Sequence, residues 1–372
     1  MRSRAIVSLF AFVASLLAAG AAFAAPPETP WELLSRARIS LEAGEYGEAL
    51  RLANAARDAR RAERELSLDI LRESLRPAEV KRAGDDIPAV LAVLDRREDA
   101  PAASIIRSAL DGPAAPSFGK SVSKVIAWLE RTREYPEADV LSGAVYEAEG
   151  EYAQAMTYYE RAWESRDILD VPDDRIPLVY RMADVSAMMD DQGAREKYLL
   201  LVLSEDPVFG TPGSESPTLL AMIRSAEEEG TLEKFFKLYR HSRYFTLKAY
   251  QDLAIFYYQK SRSRLDRALP VSAMASCVVV TRLSEAVRQY DFEYVYAGLS
   301  DLMSRAGKRR EIAEWAAANR AWETLVTFGS ILWDRGARSQ AAWLWSELAA
   351  ACPDKRWAAK ARRELDRAGK AE

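Results

Sequence analysis

Through nearly the whole chain apolar residues recur at three- and four-residue spacing, in stretches rich in Ala, Leu, Arg and Glu, all strong helix formers. A sheet-based fold needs period-two alternation. Only Val278-Val279-Val280-Thr281 looks strand-like, and it is short and embedded in helical pattern. Glycines punctuate the helices at Gly44, Gly84, Gly150, Gly193, Gly230, Gly307 and Gly336, and longer breaks fall at 112–116 and 207–217. The chain therefore reads as successive helices joined by turns.

Residues 139–162 carry a more specific order. Gly143, Tyr146, Gly150, Tyr152, Ala155, Tyr159 and Ala162 follow one another at helical intervals. Small residues at 143 and 155 let two helices approach closely, Gly150 turns the chain, and the aromatics fill the groove between successive pairs. This order resembles the tetratricopeptide repeat, whose period is about 34 residues. Gly329, Gly336, Ala341, Trp345 and Pro353 match the same frame near the end of the chain. Ala37, Gly44, Tyr46, Ala49 and Ala56 match it near the start, and Tyr250, Leu253, Ala254 and Tyr257 open a weaker unit. Helical segments at 176–203, 219–240 and 292–319 keep the period loosely and lose most of these residues.

The resemblance implies an all-α fold: an α-solenoid of antiparallel helix pairs wound into a right-handed superhelix, with degenerate repeats. It also implies that one face of each first helix lines a groove for a partner. In the best-matched unit that face is Glu137, Val140, Ala144, Glu147 and Ala148; in the last it is Glu323, Val326, Ser330, Trp333 and Asp334. The first unit gives Trp31, Leu34, Arg38, Leu41 and Glu42. Acidic residues with apolar spots suit a basic or amphipathic protein segment. Whether the array runs unbroken through the two long breaks stays open.

The first 24 residues read as a signal peptide. Arg2 and Arg4 precede an apolar run from Ala5 to Gly20, and Ala22-Phe23-Ala24 supplies the small-x-small pattern for cleavage after Ala24. No Cys follows that run, so no lipid anchor is expected. The layout expected downstream is an N-terminal helical block over 25–111, a linker over 112–119, a central repeat block over 120–206, a loop over 207–218 and a C-terminal block over 219–372. In an exported, periplasmic or secreted protein, Cys277 and Cys352 would meet oxidising conditions, and spacing leaves open whether they pair.

Residues that look chemical have plainer readings. His241 is the single histidine, which excludes a multi-His metal site; beside Arg240 and Arg243 it reads as solvated. Ala114-x4-Gly119-Lys120-Ser121 imitates a phosphate loop, but Pro113 and Pro116 remove backbone donors and helix precedes it. It reads as a linker before a helix start at Ser121. Asp85-Asp86, Asp173-Asp174 and Asp190-Asp191 stand at helix boundaries and read as caps. Among Trp315, Trp322, Trp333, Trp343 and Trp345, most are expected between helices and the remainder on a ligand surface.

With a net charge of −4 the chain offers no basic field for nucleic acid. No nucleotide, metal or cofactor is expected. The expected function is a non-enzymatic scaffold that binds a protein or peptide in a cell-envelope assembly. A component of a motor- or flagellum-associated periplasmic complex is one alternative. An all-helical envelope glycosidase or polysaccharide lyase is another, but the Glu-Ser pairs at 73–74, 164–165 and 215–216 are not followed by the Gly-Leu-Met-Gln of helical transglycosylases.

Overall fold

The computed structural model describes residues 28–211, 214–228, 232–260 and 264–370. The expected leader, 1–24, lies outside the described residues. The fold is all-α, apart from a two-residue strand pair in which Gly210–Thr211 runs antiparallel to Ser214–Glu215. Two compact units divide at Pro172 and Asp173. That division falls inside the segment 120–206 expected as one block.

In unit 1, α1 (Pro30–Glu42) and α2 (Tyr46–Ser74) pack together across a turn at Gly44, whose φ is +77°. A capping box starts α1: the Glu32 carboxylate accepts from Thr29 N at 2.8 Å. The pair α8 (Pro136–Glu149) and α9 (Tyr152–Glu164) turns on Gly150 at φ +81° and packs against α2 through α8. Between these pairs come α3 (Ala78–Ala83), α4 (Ile87–Arg96), α5 (Ala100–Leu110), α6 (Ala115–Phe118) and α7 (Val122–Arg131). The 29-residue α2 serves two cores. Leu52, Ala53 and Ala56 meet Leu34, Ala138 and Leu141, whereas Leu68 and Leu71 join Val90, Ile106, Phe118 and Leu129.

The segment 112–119 is therefore no free spacer. Phe118 is buried in the second core, and Ser121 caps α7 by accepting from Lys124 N at 3.2 Å. Asp85 takes hydrogen bonds from Ser121 Oγ, Ser123 N and Ser123 Oγ, which ties the start of α4 to the start of α7. The hydroxyl that a phosphate loop would devote to a metal is thus committed to a carboxylate.

Asp139 on α8 is nearly solvent-free and binds two arginines. Arg57 Nη2 on α2 donates to Oδ1 at 2.5 Å, and Arg161 Nε on α9 donates to Oδ2 at 2.9 Å. Three helices are joined by this one carboxylate.

Unit 2 opens with α10 (Arg175–Met188) and α11 (Gln192–Leu203), then α12 (Pro217–Glu227) and α13 (Leu232–Leu238). There follow α14 (Leu247–Lys260), α15 (Leu265–Tyr290), α16 (Leu299–Gly307) and α17 (Arg310–Ala318). The last three are α18 (Ala321–Arg335), α19 (Arg338–Ala351) and α20 (Lys355–Ala368). Helices pair as α10/α11, α14/α15 and α18/α19, and each second helix packs on the next first one: α11 on α14, α15 on α18, α19 on α20.

The strand-like Val278–Thr281 is wholly helical and buried in α15. By length and composition α15 would also cross a membrane, yet 78% of its most apolar stretch is buried within the unit. Helix α15 touches α12, α14, α16, α17 and α18, and so forms the centre of unit 2. Both cysteines are free. Cys277 is buried, and burial pushes the half-buried Cys352 thiol up to about 12.

His241 is buried, contrary to the solvated reading. Its Nε2 lies 2.6 Å from Asp206 Oδ2, and its backbone N donates to Thr281 Oγ1 at 3.0 Å. Tyr250 OH donates to the same Asp206 oxygen at 2.6 Å. The partners lie tens of residues away in sequence, so the flanking arginines were a poor guide. Of the boundary aspartates, Asp86 and Asp191 cap α4 and α11 by accepting from Ala89 N and Ala194 N. Asp174 makes no side-chain cap on α10.

Candidate functional site

Several of the small residues singled out in the sequence stand at close approaches between helices. A β-carbon on Gly143 would lie 2.5 Å from Tyr159 Cε1, and one on Gly329 would lie 2.5 Å from Trp345 Nε1. Ala155, Ala162 and Ala341 are completely buried, and Gly336 turns α18 into α19 at φ +93°. Tyr146 stacks on Tyr158 with ring centroids 5.3 Å apart. Pro353, exposed on its outer side, covers Gly307 of α16, where an added β-carbon would meet it at 2.6 Å.

Because Gly329 lets α18 and α19 approach, the outward edge of α18 faces α14 and α20 across an open cleft of about 430 Å³. All five α18 residues expected to meet a partner line it: Glu323, Val326, Ser330, Trp333 and Asp334. Opposite stand Ile255, Tyr258 and Gln259 of α14, and Trp357, Lys360, Glu364 and Arg367 of α20. The floor is aromatic, since Trp333 leans on the buried Trp345 with centroids 5.7 Å apart. Of the five tryptophans read from sequence, Trp322 and Trp345 are buried; Trp315, Trp333 and Trp343 are half-buried.

The charges around the cleft are unequal in availability. Lys360 Nζ pairs with Glu364 at 2.9 Å, and Arg367 stands 3.8 Å from the same carboxylate. Among the described residues Asp334 accepts only the Tyr258 hydroxyl, at 3.0 Å, and burial, with the Asp334 charge added, pushes that phenol up to about 12. Among the described residues neither Asp334 nor Glu323 is matched to a Lys or Arg. The cleft therefore presents aromatic surface beside two carboxylates that have no cationic partner among the described residues. From Glu323 to Asp334 is three helical turns, about 16 Å, or about five residues of extended chain.

The α8 residues expected to meet a partner do not gather in this way. Glu137 turns inward: Oε1 accepts Asp170 N at 2.6 Å, Oε2 is buried without a partner, and burial together with the Asp170 charge raises its carboxyl to about 7. Ala144 is buried, Val140 is half-buried, and Glu147 accepts the Tyr159 hydroxyl at 2.5 Å, which leaves Ala148 exposed. On α1, Leu34 is buried and Trp31 is exposed. Among the described residues no group of three or more His, Cys, Asp or Glu is placed to hold a metal ion. Sequence reading missed the α20 wall, whose Trp357, Lys360 and Glu364 at helical spacing are the signal that would have found it.

An uncharacterized protein of Treponema pallidum (strain Nichols) is 38% identical over 338 residues, which cover 91% of this chain and 90% of that protein. No family model matches the chain, and no solved structure matches it.

Proposed function

The chain belongs to one family with the Treponema pallidum protein along nearly the full length of both, and we propose that it is a non-enzymatic scaffold of tetratricopeptide type, working in the cell envelope. The reading is supported by helix pairs in which each second helix packs on the next first one, and by two Gly–aromatic contacts at the same spacing. Such pairs, stacked as a solenoid, present their first helices on a concave side.

The observation that carries the reading is the convergence of Glu323, Val326, Ser330, Trp333 and Asp334 on one cleft. Its occupant is an extended peptide segment of a partner protein. Unmatched Glu323 and Asp334 favour Lys or Arg in that segment, and the tryptophans favour an aromatic or long aliphatic neighbour, whose cation would also stack on Trp333. Export rests on the basic start, apolar run and Ala22-Phe23-Ala24; a mature chain from the envelope fraction then begins at Ala25.

Photo-cross-linking from Ser330 in intact cells tests the cleft. One or two envelope proteins are expected to be captured, and Glu323→Lys with Asp334→Lys to release them while melting stays as in the wild type. Capture that is insensitive to this double change overturns the reading.

A further inference from the structure

In unit 1, α2, α5 and α7 enclose a second cleft of about 520 Å³, far in sequence from the one on α18. Its floor is apolar, with Ile70, Ile105, Ala109, Trp128 and Leu129. Leu66 stands on its rim 63% exposed. Two turns of α2 (Glu63 to Ile70) and two of α5 (Pro101 to Ser108) line it, each about 10 Å long.

Arg64 enters this cleft with the adjacent Glu63 as its one ion-pair partner among the described residues. Its side chain is 17% exposed, its Nε is buried and makes no hydrogen bond, and its nearest carboxylate is the neighbouring Glu63 at 3.5 Å. The guanidinium lies 5.4 Å from the Trp128 ring. By contrast Arg57 and Arg60, on the same helix, reach Asp139 at 2.5 Å and Asp170 at 2.6 Å. Burial, and then the like charge of Arg60, hold Arg64 below the usual arginine pKa. A desolvated guanidinium at an apolar cleft is complementary to an acidic group carried on apolar surface.

We propose that this cleft is a docking site for an amphipathic helix of a partner protein, which places an acidic side chain on Arg64 and apolar side chains one turn away against Ile70, Ile105 and Trp128. The open, two-walled shape and the exposed Leu66 on its rim fit the face of a helix, whereas a small ligand is normally enclosed on most sides. The site is independent of the α18 cleft and uses none of its residues.

A displayed library of amphipathic helices with one randomised face, selected on the full chain, provides the probe. Recovered helices should share Asp or Glu one turn from Leu or Ile. A synthetic copy should bind the wild type about tenfold or more tightly than Arg64→Met, the loss of one charge-assisted hydrogen bond. Leu66→Asp, at an exposed position that leaves folding intact, should weaken it comparably. Replacing the peptide's acid by its amide should cause the same loss, with no further loss in Arg64→Met. Glu323→Lys with Asp334→Lys should leave this binding unchanged. Recovered helices without an acid, equal binding to the Arg64 and Leu66 variants, or no binder at all overturns the proposal. So does Arg64-dependent binding of dodecanoate alone, which would make the cleft an acyl-carboxylate site.

Discussion

The ring of Tyr159 occupies the space that a β-carbon on Gly143 would need, and sixteen residues separate the two, as they separate Trp345 from Gly329. In both pairs the glycine lies on the first helix and the aromatic on the second. Gly143→Ala should therefore lower the free energy of unfolding by about 1–3 kcal/mol, since the buried ring cannot retreat without disturbing its neighbours. In urea denaturation, Gly143→Ala combined with Tyr159→Leu should lose less than the sum of the single changes. Strict additivity would mean that the ring and the glycine do not constrain one another.

Asp139 is the common acceptor of Arg57 and Arg161. Asp139→Asn keeps the shape and removes the charge, leaving Arg57 buried without its carboxylate. A loss of about 3–5 kcal/mol is expected, as for other broken buried pairs. Arg161→Ala should be milder, because that side chain is 47% exposed. Calorimetric melting of the three proteins checks the order.

Glu137 gives unit 1 a pH dependence at neutrality. Burial and the Asp170 charge raise its folded carboxyl to about 7 from an ordinary 4.5. The folded state thus favours the protonated form, a contribution present in full below pH 4.5 and lost as pH rises through 7. By linkage the loss approaches about 3 kcal/mol. Denaturation between pH 5 and 8 should show it, and Glu137→Gln should flatten the profile and stabilise the protein above pH 7.

Asp206 acts in the opposite sense in unit 2. Burial pushes its carboxyl up, but hydrogen bonds from His241 and Tyr250 outweigh that and hold it below the ordinary range. Its stabilisation is present above about pH 4 and disappears as pH falls below it. Asp206→Asn should be less stable at pH 6 and lose stability less steeply on acidification. An acid limb identical to the wild type would remove Asp206 from this role.

Local spacing carried a large part of the fold into view. Gly143, Gly150, Gly329 and Gly336 could be read because close approach and a positive φ each demand glycine, whatever lies elsewhere in the chain. The five cleft residues on α18 came from the tetratricopeptide resemblance, which implies a partner-facing side on each first helix. What depends on distant partners was hidden. His241 is buried through Asp206 and Thr281, Glu137 turns toward Asp170, and the 112–119 segment delivers Phe118 to a core shared with α2. The boundary at Pro172 was legible only as one more helix break at Asp173-Asp174, because nothing local says which break divides two cores.

Helix α15 sets an order of assembly on the ribosome. Its buried surface is covered partly by α12 and α14, made before it, and partly by α16, α17 and α18, made after it. A nascent chain ending at Tyr290 would carry that apolar helix only partly covered until α18 emerged. At 5–20 residues per second this interval of roughly 45 residues lasts a few seconds. During that interval the face of α15 that α18 covers stays open to water, the kind of transiently exposed apolar surface that chaperones exist to shield.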